Sequence, residues 1–498
     1  MAEHAVQALM HAARVRVVAA MLAQLMMMLG LLTLLPAGVA LGLGSGPLYQ
    51  RLGFVALALC ALGLLLLRLP GVDLQRIDLQ WNEALAVTAL AFLLAAASMV
   101  WPMMAAGISP LDALLETASA VTTTGLTVLR GVEEIDPALL FLRAWMQWYG
   151  GLGIAVLTVA LIMRHHASAR RLIETTGERL SSASARQHAR TVFIVYVLLS
   201  GLALAAAWAA GTAPFDALLY ALASVATGGF APADASLAPL PVAAVAVLTT
   251  VCLLSAVTLP LYARIPSQGL GVLWRDEEVR ALLAATLLTT LLLMLLWIWQ
   301  QGPGASMSPG MDWQTALGHS VALGVSAQTT TGFSTLEMTA LSPAAQLVLM
   351  LSMTIGGCTG SAAGGLKLVR LLVLLRLVQL ALRRTAIGER AVLHARVDGH
   401  ILQPDMITGA LQLLSLWLAL LLLSWLLFLS YGYAPLPSLF EVVSAIANAG
   451  LSTGLTGTDL EPALKAVLIG DMLFGRVEIL AMLVLFYPPT WIARRRKL

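Results

Sequence analysis

Charge is what this sequence has least of. Of 498 residues, 11% are charged and 59% hydrophobic, whereas a soluble domain carries about 25% charged residues. Too little polar surface remains to cover a water-soluble protein of this length. Cysteine is scarce too. Cys60, Cys252 and Cys358 all lie in apolar or glycine-rich surroundings, with no CxxC pair or Cys/His cluster. That excludes a disulfide framework and suggests no metal site. No Ser/His/Asp set or pair of acids shares a common depth, which argues against a membrane enzyme. Alternating segments of ~10 residues, the mark of an outer-membrane barrel, are missing as well. No cleavable signal peptide is evident: the first apolar run, from Val17 to Leu43, is too long for one and reads as an anchor.

Long apolar runs are present instead. Ala281 to Trp299 and Leu411 to Leu429 approach the ~20 residues that cross a bilayer as a helix. The expected class is therefore an all-α polytopic membrane protein.

A repeat organises it. Four short patterns end in glycine: Thr122-Thr123-Thr124-Gly125-Leu126, Ala226-Thr227-Gly228-Gly229-Phe230, Thr329-Thr330-Thr331-Gly332-Phe333 and Ala447-Asn448-Ala449-Gly450-Leu451. Their final glycines are spaced by 104, 103 and 118 residues, which excludes a solenoid of short repeats and allows two spans plus a re-entrant loop per module. Six residues before each final glycine stand Ser119, Ala223, Ser326 and Ser444, all small. Nine before it, Glu116 and Glu441 match, and thirteen before it, Asp112 and Asp216. Short helices are predicted over 112–121, 216–225, 318–327 and 438–447, after breaks at Pro110, Pro214, Gly310 and Pro435. Ten residues make a helix of roughly 15 Å, half a membrane. Outer helices are predicted near 82–104, 190–211, 278–300 and 404–430, and inner ones near 138–163, 238–263, 342–382 and 463–492. Helices near 15–43 and 53–70 form a separate N-terminal hairpin, making ten spans and four re-entrant loops. The division is 1–80 for the hairpin, then pore modules 81–185, 186–270, 271–398 and 399–498.

Net charge is only +3, but its distribution orients the chain. Lys and Arg concentrate on the cytoplasmic side. The connectors between modules hold Arg164, Arg170, Arg171, Arg179, Arg186 and Arg190, then Arg264, Arg275 and Arg280, then Arg370, Arg376, Arg383, Arg384, Arg390 and Arg396, and the end reads Arg494-Arg495-Arg496-Lys497. The opposite loops hold Arg51, Arg130, Arg143 and Lys465. Both termini are expected inside and all four glycine patterns toward the outside.

Irregular backbone at membrane depth is tolerated only where protein or water satisfies it. Glycine opens backbone angles closed to other residues and can turn carbonyls toward one axis as cation ligands. A single pattern reads equally as a tight turn or as small-residue helix packing; four in register point to a filter for a cation, potassium foremost. Its candidate residues are Thr123, Thr124, Gly125, Thr227, Gly228, Gly229, Thr330, Thr331, Gly332, Asn448, Ala449 and Gly450. Arg476 stands in the apolar run Val467 to Leu485, where a charge costs at least ~2.5–3.5 kcal/mol. It either pairs with Asp471 or Glu478 or faces the ion path as a barrier. Ile355 to Lys367 contains Gly356, Gly357, Gly360, Gly364 and Gly365, each costing about 1 kcal/mol relative to alanine in a helix. The third inner helix is therefore expected to break there, giving either a close helix crossing or a gate formed by Gly356, Gly357, Thr359, Gly360, Ser361, Gly364, Gly365 and Lys367 as a flexible polar plug. Gly364 to Lys367 superficially suggests a phosphate loop, but no strand precedes it. The glycines of Gln147 to Gly153 read first as close packing near the pore. Glu133, Glu134, Asp136, Asp234, Asp312, Glu337, Asp459 and Glu461 either gather cations at the mouth or are ordinary solvated loop residues. His165, His166, His188, His394 and His400 show no ligand spacing.

These motifs, with Gly475-Arg476-Val477-Glu478, resemble the Trk/Ktr/HKT superfamily of potassium transporters, and within it the bacterial TrkH/TrkG branch, over nearly the whole chain. The resemblance implies a pseudo-fourfold pore in each subunit, a homodimer in the bacterial inner membrane, and a cytosolic TrkA-like ring of RCK subunits that binds the regulatory nucleotide. It implies potassium as the substrate, no cofactor in this chain and no nucleic-acid partner. It makes the loop at 356–365 the intramembrane gate and Arg476 the basic residue beneath the filter. Ala-Asn-Ala-Gly in the fourth pattern and Ala226 in the second depart from the family and imply a less sharply selective ring, while Gly125 argues against sodium passage. The alternative is a secondary transporter with alternating access for another cation or small solute. Inverted repeats would be expected there, and these modules share one orientation.

Overall fold

The computed structural model describes residues 12–68, 80–165, 182–300, 313–386, 396–397 and 400–492. Arg170, Arg171, Arg179, Arg390, Arg494 to Lys497, His166, His394, Asp312 and Gly310 lie outside the described residues, as do the side chains of Arg164, Arg186, His165 and His188.

The described residues are mostly helical. The hairpin is α1 (Val15–Gly42) and α2 (Gly46–Leu67), the second starting earlier than expected because Pro47 sits in its first turn, where its missing N–H is no loss. Arg14 ties the hairpin to the first module through Glu83 at 2.7 Å. The modules follow as outer, short and inner helices. The first is α3 (Trp81–Ser98), α4 (Pro110–Val121) and α5 (Pro137–His165). The second is α6 (Ser182–Ala209), α7 (Pro214–Ala226) and α8 (Val242–Ser255). The third is α9 (Glu277–Gln300), α10 (Trp313–Gln328) and α11 (Pro343–Ile355), then α12 (Leu368–Thr385). The fourth is α13 (Pro404–Ser430), α14 (Pro435–Ala447) and α15 (Pro462–Val477), then α16 (Ile479–Phe486). A two-residue antiparallel pair, Arg396–Val397 with His400–Ile401, precedes the fourth.

Among the described residues, six helices are long and apolar enough to cross a membrane: Val15–Gly42, Gly46–Leu67, Trp81–Ala106, Ala189–Ala209, Glu277–Trp299 and Pro404–Ser430. Their outward faces are apolar, as Leu31, Leu57, Leu198, Leu288 and Leu423 illustrate, which suits hydrocarbon rather than water. The chain is a multi-pass membrane protein. The short helices, at 12 to 16 residues, lie inside this shell, their last turns fully buried.

Two inner helices differ from the expected continuous rods. The second stops at Ser255, and a short helix, Leu259–Tyr262, follows. The fourth is interrupted at Glu478, which adopts φ 67. The third breaks between Ile355 and Leu368, where the glycine content predicts it.

Candidate ion pathway

Each glycine pattern begins as its short helix ends. In all four, the residue before the final glycine returns its N–H to the carbonyl six residues upstream of that glycine: Thr124 to Ser119 at 2.8 Å, Gly228 to Ala223 at 2.8 Å, Thr331 to Ser326 at 2.9 Å and Ala449 to Ser444 at 2.9 Å. A bulky side chain there would crowd the fold-back, which accounts for the small residues at that position. The backbone is left-handed at Thr123 (φ 53), Thr227 (φ 49), Thr330 (φ 51) and Asn448 (φ 54), and again at Gly125, Gly229, Gly332 and Gly450 (φ 78 to 94). A non-glycine residue in this region costs of order 1–3 kcal/mol and persists only where its surroundings over-determine it. The same outlier at four equivalent positions is a shared device.

The loops meet in cyclic order. A Cβ on Gly125 would lie 2.4 Å from the Gly228 oxygen, one on Gly229 2.1 Å from that of Thr331, one on Gly332 2.3 Å from that of Ala449, and one on Gly450 2.1 Å from that of Thr124. Each loop thus abuts the next and the fourth abuts the first. Thr123, Thr124, Thr227, Gly228, Thr330, Thr331, Asn448 and Ala449 are buried, while the four final glycines are half-buried and line one cavity of about 800 Å³. Of the candidate external acids, Asp234 and Glu337 border this cavity, together with Arg130 and Arg143.

The short helices also hold the segments that lead away from the glycines. Glu116 Oε1 accepts from Thr127 Oγ1 at 2.5 Å and Val128 N at 2.7 Å, and Arg143 Nε donates to its Oε2 at 3.2 Å. Glu441 accepts from Ser452 Oγ (2.6 Å), Thr453 N (2.8 Å) and Thr456 Oγ1 (2.9 Å). In the second module Tyr220 occupies the equivalent position and donates to Ser236 O at 2.7 Å. In the third, where Leu323 stands there, His319 Nδ1 meets Thr335 Oγ1 at 2.8 Å instead. Around the ring, Lys465 Nζ contacts Asp112 at 2.5 Å and joins the fourth module to the first.

The glycine-rich break lies against the other side of the ring. Gly364 N donates to Thr330 Oγ1 at 2.6 Å and Gly365 N to Ala447 O at 3.0 Å. Gly356, Gly357, Gly360, Ser361 and Gly364 are buried, and Thr359, Gly365 and Lys367 are half-buried. The segment is also hydrogen-bonded to its neighbours. Thr359 N donates to Glu278 Oε2 at 2.6 Å, Cys358 N to Ala256 O at 3.0 Å and Thr258 Oγ1 to Thr359 O at 2.8 Å. The interruption of the second inner helix supplies Ala256 and Thr258, and α9 supplies Glu278. Lys367 Nζ donates to Ala363 O.

Arg476 pairs with neither expected acid. Asp471 Oδ1 accepts from Ser424 Oγ at 2.7 Å, and Glu478 meets Arg370 at 2.5 Å. Arg476 is buried, its Nη1 donating to Ala362 O of the glycine-rich segment at 2.9 Å, while Nε and Nη2 have no hydrogen-bond partner among the described residues. The break at Glu478 turns the chain so that the acid faces α12 and the arginine faces the loop.

In α5, Gly150 and Gly151 serve close packing: added Cβ atoms would meet Val121 O at 2.0 Å and Tyr196 Oη at 2.6 Å, while Gly153 has open space. Sequence reasoning named Gln147 and Arg143 but gave their side chains no role at the loops; the Gln147 amide reaches the second loop, and the Arg143 guanidinium lies 3.9 Å from the Phe230 ring centre. Polarity in an apolar helix was the available signal for both.

The sequence model of TrkH, described as a cation transport protein, matches residues 84–491. The Trk system potassium uptake protein TrkH of Escherichia coli (strain K12) is 30% identical over 76% of this chain and 79% of that protein. Its counterpart in Vibrio parahaemolyticus is 32% identical over 77% and 80%, and TrkI of Halomonas elongata 31% over 79% and 80%. The crystal structure of the potassium transporter TrkH from Vibrio parahaemolyticus superposes with a TM-score of 0.83 at 27% identity, covering 96% of this chain and all of that one. The chain belongs to the TrkH family of cation transport proteins, a family of membrane ion transporters rather than enzymes.

Proposed function

We propose that this chain carries potassium ions into the bacterial cell across the inner membrane through a pseudo-fourfold filter built from its four glycine loops. The observation that carries the reading is the cyclic apposition of those loops, each final glycine set against a carbonyl of the next. Thr123, Thr124, Gly125, Thr227, Gly228, Gly229, Thr330, Thr331, Gly332, Asn448, Ala449 and Gly450 hold the dehydrated ion by their backbone carbonyls, which replace its water. The names of the relatives supply potassium as the ion. Gly356, Gly357, Thr359, Gly360, Ser361, Gly364, Gly365 and Lys367 form the gate beneath, and Arg476 places positive charge beside it. Opening lets the 356–365 segment leave its bonds to Thr330 and Ala447. The pore modules divide at 81–185, 186–270, 271–398 and 399–498 behind the 1–80 hairpin, with both termini cytoplasmic. The working assembly is a homodimer with a cytosolic TrkA-like RCK subunit that binds the nucleotide.

Rubidium uptake into proteoliposomes, with sodium as competitor, tests the reading. Gly125→Ser adds a Cβ against Gly228 O and lowers the rubidium-to-sodium ratio. An unchanged ratio in a variant that reaches the membrane in normal amount would sink the filter assignment.

A further inference from the structure

We propose that Gln147 is the positioning residue of the second glycine loop, supplying from α5 a lock that the first and third loops build from their own hydroxyls. The proposal rests on the filter reading above and assigns a specificity-determining group to it.

The four loops have the same fold-back but different side-chain locks. In the first, Thr122 Oγ1 and Thr124 Oγ1 lie 2.7 Å apart; in the third, Thr329 Oγ1 and Thr331 Oγ1 also lie 2.7 Å apart. Each pair clips the first residue of the pattern to the third. The fourth loop has Ala447 and Ala449 at those places, and Asn448 clips it instead, donating to Thr124 Oγ1 at 2.9 Å and Met472 O at 2.8 Å. The second loop has Ala226 and Gly228, neither with a hydroxyl. Among the described residues, its Thr227 Oγ1 returns to Ala226 O.

Gln147 fills that gap. It is fully buried. Its Nε2 donates to Gly228 O at 2.5 Å, and its Oε1 accepts from Phe230 N at 3.2 Å. One amide thus spans the final glycine of the loop from both sides. The volume agrees with the bonding: a Cβ at residue 228 would lie 2.4 Å from Gln147 Cδ. The amide therefore occupies the room that the third-position side chain takes in the sister loops, and Gly228 is glycine because Gln147 is there. Gly228 O is also the carbonyl that Gly125 abuts, equivalent to Thr124 O, Thr331 O and Ala449 O. A carbonyl oxygen has two lone pairs. One is held by the amide, which leaves the other fixed in direction for the ion.

The test uses purified full-length protein in liposomes and reads the rubidium-to-sodium flux ratio. Gln147→Met keeps the length of the side chain and removes both hydrogen bonds. The expected result is a ratio lowered about fivefold, the scale of one ordinary hydrogen bond, with near-normal membrane yield. Rescue comes from moving the sister lock across: the triple variant Gln147→Ala, Ala226→Thr, Gly228→Thr restores a ratio close to the parent. An unaltered ratio in Gln147→Met overturns the proposal. So does a triple variant that assembles with a ratio as low as that of Gly125→Ser, or one that does not assemble at all, since two other loops fold on that same hydroxyl pair. Gly125→Ser measured alongside separates the failures. If it alters the ratio and Gln147→Met does not, the brace is wrong and the filter stands; if neither does, the filter reading itself is wrong.

Discussion

Two glycines with nearly the same backbone isolate what the ring requires. Gly450 has φ 80 and Gly44 has φ 79. A methyl group on either meets the same left-handed penalty, roughly 1–2 kcal/mol. Their surroundings differ. At Gly44, in the turn of the N-terminal hairpin, nothing lies within 4 Å of the added Cβ, whereas at Gly450 the Thr124 oxygen is 2.1 Å away and Gly125 Cα 3.0 Å. Real Cβ contacts under 3.0 Å essentially never occur, so Thr124 O must retreat by close to 1 Å. If a carbonyl ligand to a cation is worth what a hydrogen bond to a charged group is, its loss is about 1.5–3 kcal/mol, roughly ten- to hundredfold in ion affinity. Gly450→Ala is therefore expected to lose more thermal stability in detergent than Gly44→Ala, by the cost of displacing packed backbone, about 1–3 kcal/mol, and the two differ in transport. Gly44→Ala keeps the half-saturation concentration for rubidium uptake. Gly450→Ala raises it at least about tenfold and lowers the preference over sodium. Equal transport in the two variants would refute the idea that a cramped carbonyl ring binds the ion.

Three further outcomes follow from the same geometry. Arg476→Ala removes a buried charge that has one backbone acceptor and is expected to raise basal rubidium flux without the regulatory subunit; unchanged flux would exclude a barrier at this position. Lys465→Met strands Asp112 in a buried site and should destabilise the protein by about 3–5 kcal/mol, seen as a lowered melting temperature, with Asp112→Asn in the same chain recovering much of the loss. Glu441→Leu leaves the Thr453 N–H, the Ser452 hydroxyl and the Thr456 hydroxyl without their shared acceptor. Each lost partner costs about 1–3 kcal/mol, and a lowered melting temperature together with weakened ion preference is the expected pairing.

What the sequence by itself determined is whatever local composition and chain spacing can specify. Scarce charge and long apolar runs required a bilayer. The recurrence of small residue, hydroxyl and glycine at fixed offsets marked the four short helices and their loops, because each fold-back is made within a handful of residues. Five glycines between Ile355 and Lys367 were enough to break a helix. Only the tertiary structure decided how these pieces meet. The cyclic order of the loops depends on backbone contacts between modules, the closing one joining loops 324 residues apart in the chain. Gln147 reads as an ordinary member of a glycine-rich helix until the chain folds back and sets its amide 2.5 Å from Gly228 O. Arg476 has two acids within a few residues, yet the turn at Glu478 sends its partner bond to Ala362. The interruption at 256–258 makes sense only beside the glycine-rich segment that hydrogen-bonds to it. A single sequence records which groups need partners; in a low-dielectric interior, where a buried donor without an acceptor is costly, the folded arrangement selects which partner each one finds.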